Sequence, residues 1–443
     1  MDGCGMNINL PSAFVSRMSR QMKDEWSVMH ECFVDEPLRG ARLNSSRNLM
    51  PFPQPDYQKK IPWEPYGFYL DPDSAAGSSL WHEAGMFYIQ EPSAMIPAQV
   101  MDARPGERIL DLCAAPGGKT CQMALAMQGE GLIVSNEPVV KRARILSRNV
   151  ERMGIPNCLV VSAYPQALAT KWHGGFDGVM VDAPCSGEGM FRRHPETADE
   201  WSEASAAGCA ERQMEILRHA ARMVRPGGRL VYSTCTWNPE ENEKNVERFL
   251  NEHPDFCPEP FMLSGIDGKN GMFTAYPHRI RGEGQFAARL RRSGSGESEL
   301  KEDKSIPAPR GSEEKLFSSQ FPWLPAPDRR IGNLFAAAGF LPDISGISAV
   351  RIGTHIGEIR AGCVIPDHAA AVSFTTRLKN TAELSAGQAI RYMRGETIEM
   401  EKPGWAVITC KGIPLGWGKG NGGIIKNHLP KALRKNRLNI EWL

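Results

Sequence analysis

Residues 108–120 read RILDLCAAPGGKT, a short apolar run followed by small residues, two glycines and a lysine. The run reads as a strand ending at Asp111 and Leu112, and the glycines as a turn into a helix that opens near Lys119. Where side chains are missing, backbone can approach a ligand closely, and a helix start offers free N–H groups to its polar atoms. The spacing is neither G-x-G-x-x-G nor G-x-x-x-x-G-K-[ST], which sets aside a dinucleotide or a triphosphate and leaves a nucleoside as the guest.

Working outward, GLIVSN (131–136), CLVVS (158–162), DGVMVD (177–182) and RLVYST (229–234) are further apolar runs, continuous as expected of parallel strands buried on both faces. Helical patterns separate them, among them Val139–Gly154, with Gly154 as its stop, and Cys209–Gly228. Another helix follows from Asn238. MFTAYPH (272–278) and GQFAARLRR (284–292) predict an antiparallel hairpin at the sheet edge. The second strand ends in SNEP, where Glu137 can accept hydrogen bonds from both ribose hydroxyls. A glycine loop after strand one and an acid after strand two is the layout of S-adenosylmethionine-dependent methyltransferases. A nucleoside-cofactor oxidoreductase is the competing class, and it lacks its fingerprint here.

The chain has 443 residues, 41% hydrophobic and 23% charged, enough for two or three domains. No apolar run approaches the roughly 20 residues of a membrane span, and the N-terminus has no basic segment leading into an apolar one, so a soluble cytoplasmic protein is expected. Eleven cysteines are scattered without any C-x-x-C pair, which favours reduced thiols over disulfides or a metal site. A net charge of +1 leaves nucleic-acid binding to local patches, one from Met18 to Arg47 and the other Lys426–Arg437, each of which could equally be a solvated charged face. Ser293–Ser319, rich in Ser, Gly, Pro and charge, reads as a flexible linker. The expected division is an RNA- or substrate-contacting region over 1–95, a catalytic domain over 96–292, the linker over 293–319 and a C-terminal RNA-binding region over 320–443.

Two cysteines stand at strand ends, Cys185 in DAPCSGEGMF (182–191) and Cys235 in LVYSTCTWNPEENE (230–243). A single cysteine in such a place is usually a small buried hydrophobe. Two of them, on loops beyond adjacent strands, point to chemistry, although their pattern does not rank them. Cys4, Cys32, Cys121, Cys158, Cys209, Cys257, Cys363 and Cys410 read as plain packing residues.

DLCAAPGGKT, NEP followed by RNVERMG, DAPCSGEGMFRR, RPGGRLVYSTCTWNPEENE and YPHRIRGEGQFAARL resemble, in this order, the motif set of the Nol/Nop/Sun family of RNA 5-methylcytosine methyltransferases. The likeness runs from about Arg42 to Arg292, and LGWGKGNGGIIKNHLPKALR (415–434) extends it. It implies an α/β Rossmann-like methyltransferase sheet with an edge hairpin, an N-terminal extension and a small β-rich PUA-like RNA-binding module. It also implies S-adenosylmethionine held by Cys113, Ala114, Ala115, Pro116, Gly117, Gly118, Lys119, Glu137 and Asp182. Carbon 5 of cytosine is too poor a nucleophile to take a methyl group until a thiolate adds at carbon 6. The resemblance assigns Cys235 as that nucleophile and Cys185 to product release, with Asp182 at the base or the cofactor. Small-subunit ribosomal RNA is the favoured substrate and transfer RNA the alternative; no metal or membrane is implied, and a monomer is expected. A non-catalytic ribosome-assembly protein would be expected to have lost a cysteine or the glycine loop.

Further expectations follow from the same likeness. Arg42 and Asn44 resemble a substrate-contacting motif, with an exposed strand arginine as the alternative; His278 and Glu283 would orient the active-site loops. Trp405, Trp417 and Lys419 suit stacking and phosphate contact, with buried tryptophans equally plausible. Removing residues beyond about 320 is expected to leave cofactor binding unchanged. Two departures stand out. Ser162, Ala163 and Tyr164 occupy the place of an acid or amide that meets the adenine, and Gln285 that of a histidine.

Overall fold

A computed structural model describes residues 8–47, 59–375 and 378–438. Cys4 and the prolines Pro51, Pro53 and Pro55 lie outside the described residues. Near the N-terminus, β1 (Arg39–Leu43) pairs antiparallel with β2 (Gly67–Leu70) and β3 (Phe87–Gln90). The central sheet takes its parallel core from β4 (Arg108–Asp111), β5 (Leu132–Asn136), β6 (Cys158–Ser162), β7 (Phe176–Asp182) and β8 (Val224–Thr234), in the order β8-β7-β4-β5-β6. β9 (Phe256–Pro258) and a small hairpin, β10 (Phe261–Leu263) and β11 (Ile266–Gly268), lead to the expected edge hairpin. That hairpin is β12 (Met272–Ala275) and β13 (Gln285–Arg292), and β13 joins β8 antiparallel.

The apolar runs make this sheet because both faces are covered. Ile109, Ile133, Val160, Met180 and Val231 enter one core, and their neighbours Leu110, Val134, Val161, Val179 and Leu230 enter the other. Side chains of period 2 thus feed two layers of helix. The chain order reverses between β4 and β7, and at this switch point the loops after β4, β5, β7 and β8 meet.

Beyond residue 292 the fold departs from the composition-based reading. Ser293–Ser319 contains a helix, Gly311–Gln320, whose Phe317 is buried, and Leu300 and Ile306 pack against the central core. Charge and proline dominate the segment, but three widely spaced apolar side chains each find a pocket. Ser348–Ile352 then adds an antiparallel strand beside β6, so the central sheet draws on chain beyond the supposed linker. A four-stranded and a five-stranded sheet complete the C-terminal part. Its Ala389, Tyr392 and Ile408 share one core with Ala41, Phe68 and Trp81 of the N-terminal part. Truncation after about 320 therefore strips a strand from the central sheet and opens a shared core, so weakened cofactor binding is the outcome now expected of it.

Arg42 and Asn44 are buried, at 2% and 0% exposure, and hold the fold instead of facing a substrate. Arg42 donates to the Gly118 carbonyl at 2.9 Å, propping the glycine loop from below. Asn44 Nδ2 bridges the carbonyls of Gly85 and Met153 at 2.8 and 2.9 Å. Asn44→Ala leaves both acceptors without a donor, so unfolding in denaturant is expected to show a loss of about 2–3 kcal/mol.

Candidate active site

Five loops at the carboxyl ends of the parallel strands line a cleft of about 640 Å³, through Cys113, Glu137, Tyr164, Asp182, Cys185 and Cys235 among others. The glycine loop owes its shape to packing as well as to any ligand. Gly117 has φ +111°, and a Cβ there would stand 2.8 Å from Leu146 Cδ1. A Cβ on Gly118 would press on Gln90 and Tyr88 at 3.1–3.2 Å. The helix begins at Gly118, and Asn149 Nδ2 donates to the Pro116 carbonyl at 2.9 Å. Ala114 N–H donates to the Asn136 carbonyl, tying the loop to the end of β5. Glu137, 3% exposed, accepts from Val139 N–H at 2.9 Å and pairs with Arg142 at 3.2 Å.

Lys119 does not extend into solvent. Its Nζ donates to Asp182 Oδ2 at 2.8 Å, and Ser233 Oγ donates to Asp182 Oδ1 at 2.7 Å. Burial opposes the ammonium charge, and the Asp182 carboxylate overcomes it, holding Lys119 above its ordinary pKa. Nearby, Asp111 is pushed up to about 7, chiefly by burial, while Thr120 Oγ1 donates to one of its oxygens at 2.7 Å. Asp111 Oδ1 has no hydrogen-bond partner among the described residues. A smaller pocket of about 230 Å³ on this side is lined by Gln90, Asp111, Ala114, Pro116, Gly118 and Lys119, and it meets the larger cleft at Cys113, Ala115 and Asp182.

Cys185 and Cys235, both free thiols, come together with Sγ atoms 3.0 Å apart, and Cys235 N–H donates to Cys185 Sγ at 3.3 Å. The Cys235 thiol beside it, then burial, push the Cys185 thiol well above its ordinary pKa. The loop carrying Cys185 is clamped by residues the sequence reading assigned otherwise or passed over. Glu241 accepts from Ser186 N–H at 2.9 Å and from Gln213 Nε2 at 2.8 Å, and the same Gln213 nitrogen donates to the Pro184 carbonyl at 2.9 Å. A helix read from Asn238 would place Glu241 in its first turn. The helix begins later, at Glu243, which frees Glu241 for the clamp. Glu188, fully buried, accepts from Arg17, Trp201 Nε1 and Trp237 N–H, tying the N-terminal helix Ser12–Met22 to both cysteine loops.

Glu283 fits its expected orienting place: it accepts from Arg192 Nε at 2.7 Å and from Leu38 N–H at 2.8 Å. His278 faces Glu25 at 2.8 Å, away from the cysteines' own hydrogen bonds. Ser162 Oγ donates to the Pro138 carbonyl and Ala163 N–H to Asn136 Oδ1, so both of these hydrogens are already engaged; Tyr164, 75% exposed, stands at the cleft wall. Gln285 is buried, and its Nε2 lacks a partner among the described residues. Trp417 is buried, donating to the Asp367 carbonyl, while Trp405 is half-buried under the Lys419 amine at 5.3 Å. Of the remaining cysteines Cys121, Cys158 and Cys410 are buried, Cys32 and Cys209 partly so, and Cys257 and Cys363 are exposed, against the packing reading. Among the described residues no group of His, Cys, Asp and Glu is placed to hold a metal, and no helix is long and apolar enough to cross a membrane.

Comparison with known proteins agrees with this architecture along the chain. Residues 98–291 match the family model described as 16S rRNA methyltransferase RsmB/F, residues 379–435 the methyltransferase RsmF PUA domain, and residues 10–92 the N-terminal domain of 16S rRNA methyltransferase RsmF. Ribosomal RNA small subunit methyltransferase F of Klebsiella pneumoniae (strain 342) is 30% identical over 476 aligned positions, which cover 96% of this chain and 97% of the relative. A solved methyltransferase homolog protein from Pyrococcus horikoshii is 26% identical with a TM-score of 0.55, covering 64% of this chain and 96% of its own. NSun6 from Pyrococcus horikoshii, solved with SFG, has a TM-score of 0.57 at 20% identity, covering 65% of this chain and all (100%) of its own, a likeness of fold.

Proposed function

Because the chain belongs to the ribosomal RNA small subunit methyltransferase F family, and is on that ground an S-adenosylmethionine-dependent RNA methyltransferase, we propose that it methylates carbon 5 of a cytosine in small-subunit ribosomal RNA through a covalent cysteine adduct. The observation carrying this reading is the thiol pair, 3.0 Å apart in one cleft with Asp182, which is held by the half-buried Lys119. A methyl transfer to oxygen or to an exocyclic nitrogen has no use for two thiols.

The cleft suits a cationic nucleoside. Glu137 supplies a buried carboxylate for the ribose hydroxyls, and the unpartnered Asp111 oxygen a site for positive charge. The loop 113–119 and Asp182 surround the same space. When bound, S-adenosylmethionine supplies an electrophilic methyl group. The remaining work falls to the chain. Either thiol of the pair is placed to donate to the other, and with the Cys185 pKa raised by Cys235 and burial it is Cys235 that gives up its proton, to solvent at the open cleft. Cys235 then adds as thiolate to carbon 6, and the carbon 5–carbon 6 π pair becomes the nucleophile at carbon 5. The Asp182 carboxylate, anchored by Lys119 and Ser233, accepts from the cytosine amino group or its protonated ring nitrogen and steadies the adduct. After transfer the carbon 5 proton leaves to solvent, its bonding pair restores the carbon 5–carbon 6 double bond, and Cys235 departs from carbon 6 as a thiolate that the Cys185 thiol stabilises by donating to it.

Bisulfite sequencing of small-subunit ribosomal RNA and transfer RNA from cells with and without the gene tests the reading. One cytosine signal lost from small-subunit RNA is expected, and a loss confined to transfer RNA would reassign the substrate. For the cofactor, Glu137→Ala is expected to weaken binding about 10- to 100-fold in calorimetry, since a hydrogen bond to a charged group contributes about 1.5–3 kcal/mol. An unchanged affinity would remove Glu137 from the ribose site.

A further inference from the structure

The helix Val140–Arg152 packs Ala143, Leu146 and Val150 inward. At 100° per residue Lys141, Arg144, Ile145 and Arg148 share the opposite, exposed face. Lys141, Arg144 and Arg148 make no ion pair among the described residues; the helix's one acid, Glu151, is turned to Arg351 and His368 at 2.9 and 2.8 Å. An ordinary solvated helix face looks different in this same protein. On the helices Glu203–Met223 and Glu243–Glu252, Arg218 pairs with Glu252, Arg248 with both Glu211 and Glu252, and Lys244 with Glu240.

Two more observations mark the bare face as a surface that meets something. Exposed apolar side chains cluster where the helix starts: Val139, Val140 and Ile145 are 51%, 45% and 45% exposed, beside Tyr164. Arg142 at this end lines the active-site cleft, so the face begins at the rim of the site. At its other end Arg148, Asn149 and Arg152 line a pocket of about 230 Å³ together with Ala432, Leu433 and Lys435, which brings the basic C-terminal segment alongside. Lys431 and Arg437 of that segment are exposed and without an ion pair among the described residues.

We propose that this face is a docking track for the RNA substrate: Lys141, Arg144 and Arg148 contact successive phosphates, Lys431 and Arg437 continue the track, and the apolar rim with Tyr164 receives unstacked bases beside the target. It rests on the proposed RNA substrate and adds where the RNA lies. From Lys141 to Arg148 the track runs about 10 Å along the helix, enough for two or three nucleotides before the C-terminal segment continues it. Single-signed charge fits a polyanion, and an aromatic ring next to it fits single-stranded RNA.

The test measures binding of the full chain to small-subunit ribosomal RNA across a salt series, with the triple variant Lys141→Gln/Arg144→Gln/Arg148→Gln and a control, Arg218→Gln/Arg248→Gln. Releasing about 0.7 counterion per phosphate contact, the triple variant is expected to flatten the slope of log affinity against log salt by about 2 and to lose about tenfold or more in affinity at low salt. The control is expected to keep the parent slope, and cofactor binding to be unchanged in both. A parent slope in the triple variant, or an equal loss in the control, overturns the track. Loss of all RNA methylation by the parent protein would instead count against the proposed function, and it is read in a separate assay.

Discussion

Cys235→Ala yields neither methylated RNA nor a covalent protein–RNA band, whereas Cys185→Ala accumulates such a band in the presence of cofactor and RNA. Both expectations join the thiol pair to the roles that the family resemblance assigns to its two members. The two sulfurs are neighbours, and the roles differ by when each acts: attack at carbon 6 precedes methyl transfer, and release follows it. Without the nucleophile the reaction does not begin, and activity is expected to fall at least about 10⁴-fold. Without the release group the adduct forms and stays. A denaturing gel of each variant mixed with substrate reads the outcome directly. A shifted band from Cys235→Ala and none from Cys185→Ala would reverse the assignment, and no band from either would remove the covalent route.

The second large effect lies at Lys119 and Asp182. Asp182 accepts from Lys119 and Ser233 inside the cleft, so its carboxylate is held in place before any substrate arrives. Asp182→Asn is expected to lower kcat about 10²- to 10⁴-fold with a smaller change in cofactor affinity, because the charge matters most when the ring carries the adduct. Lys119→Met loosens the same carboxylate. Since the two act as a unit, the double variant is expected to be little worse than either single one. Full additivity of the two losses in kcat would show that Lys119 and Asp182 work independently.

How much of this was readable beforehand depends on how local the signal is. Strand runs and the edge hairpin came through because continuous apolar stretches carry their own burial requirement. The thiols, the glycine loop and Glu137 sit at strand ends, and strand ends are visible in a linear sequence. Glu241 and Gln213 were not readable as a clamp. Their partners at Pro184 and Ser186 are about 29 and 55 positions away along the chain, and nothing near either residue announces them.

The sequence by itself determined the layer architecture and which loops follow the parallel strands, since both follow from residue type and periodicity within a short window, while the roles of the two cysteines come from the family resemblance. Only the tertiary structure decided that Cys185 and Cys235 touch, that Arg42 props the glycine loop, that Ser348–Ile352 extends the central sheet, and that the N- and C-terminal parts share a core. The physical reason is the same in each case. A buried polar group or an apolar side chain requires a partner but does not specify which one, and that choice is made by the packing of segments far apart in the chain.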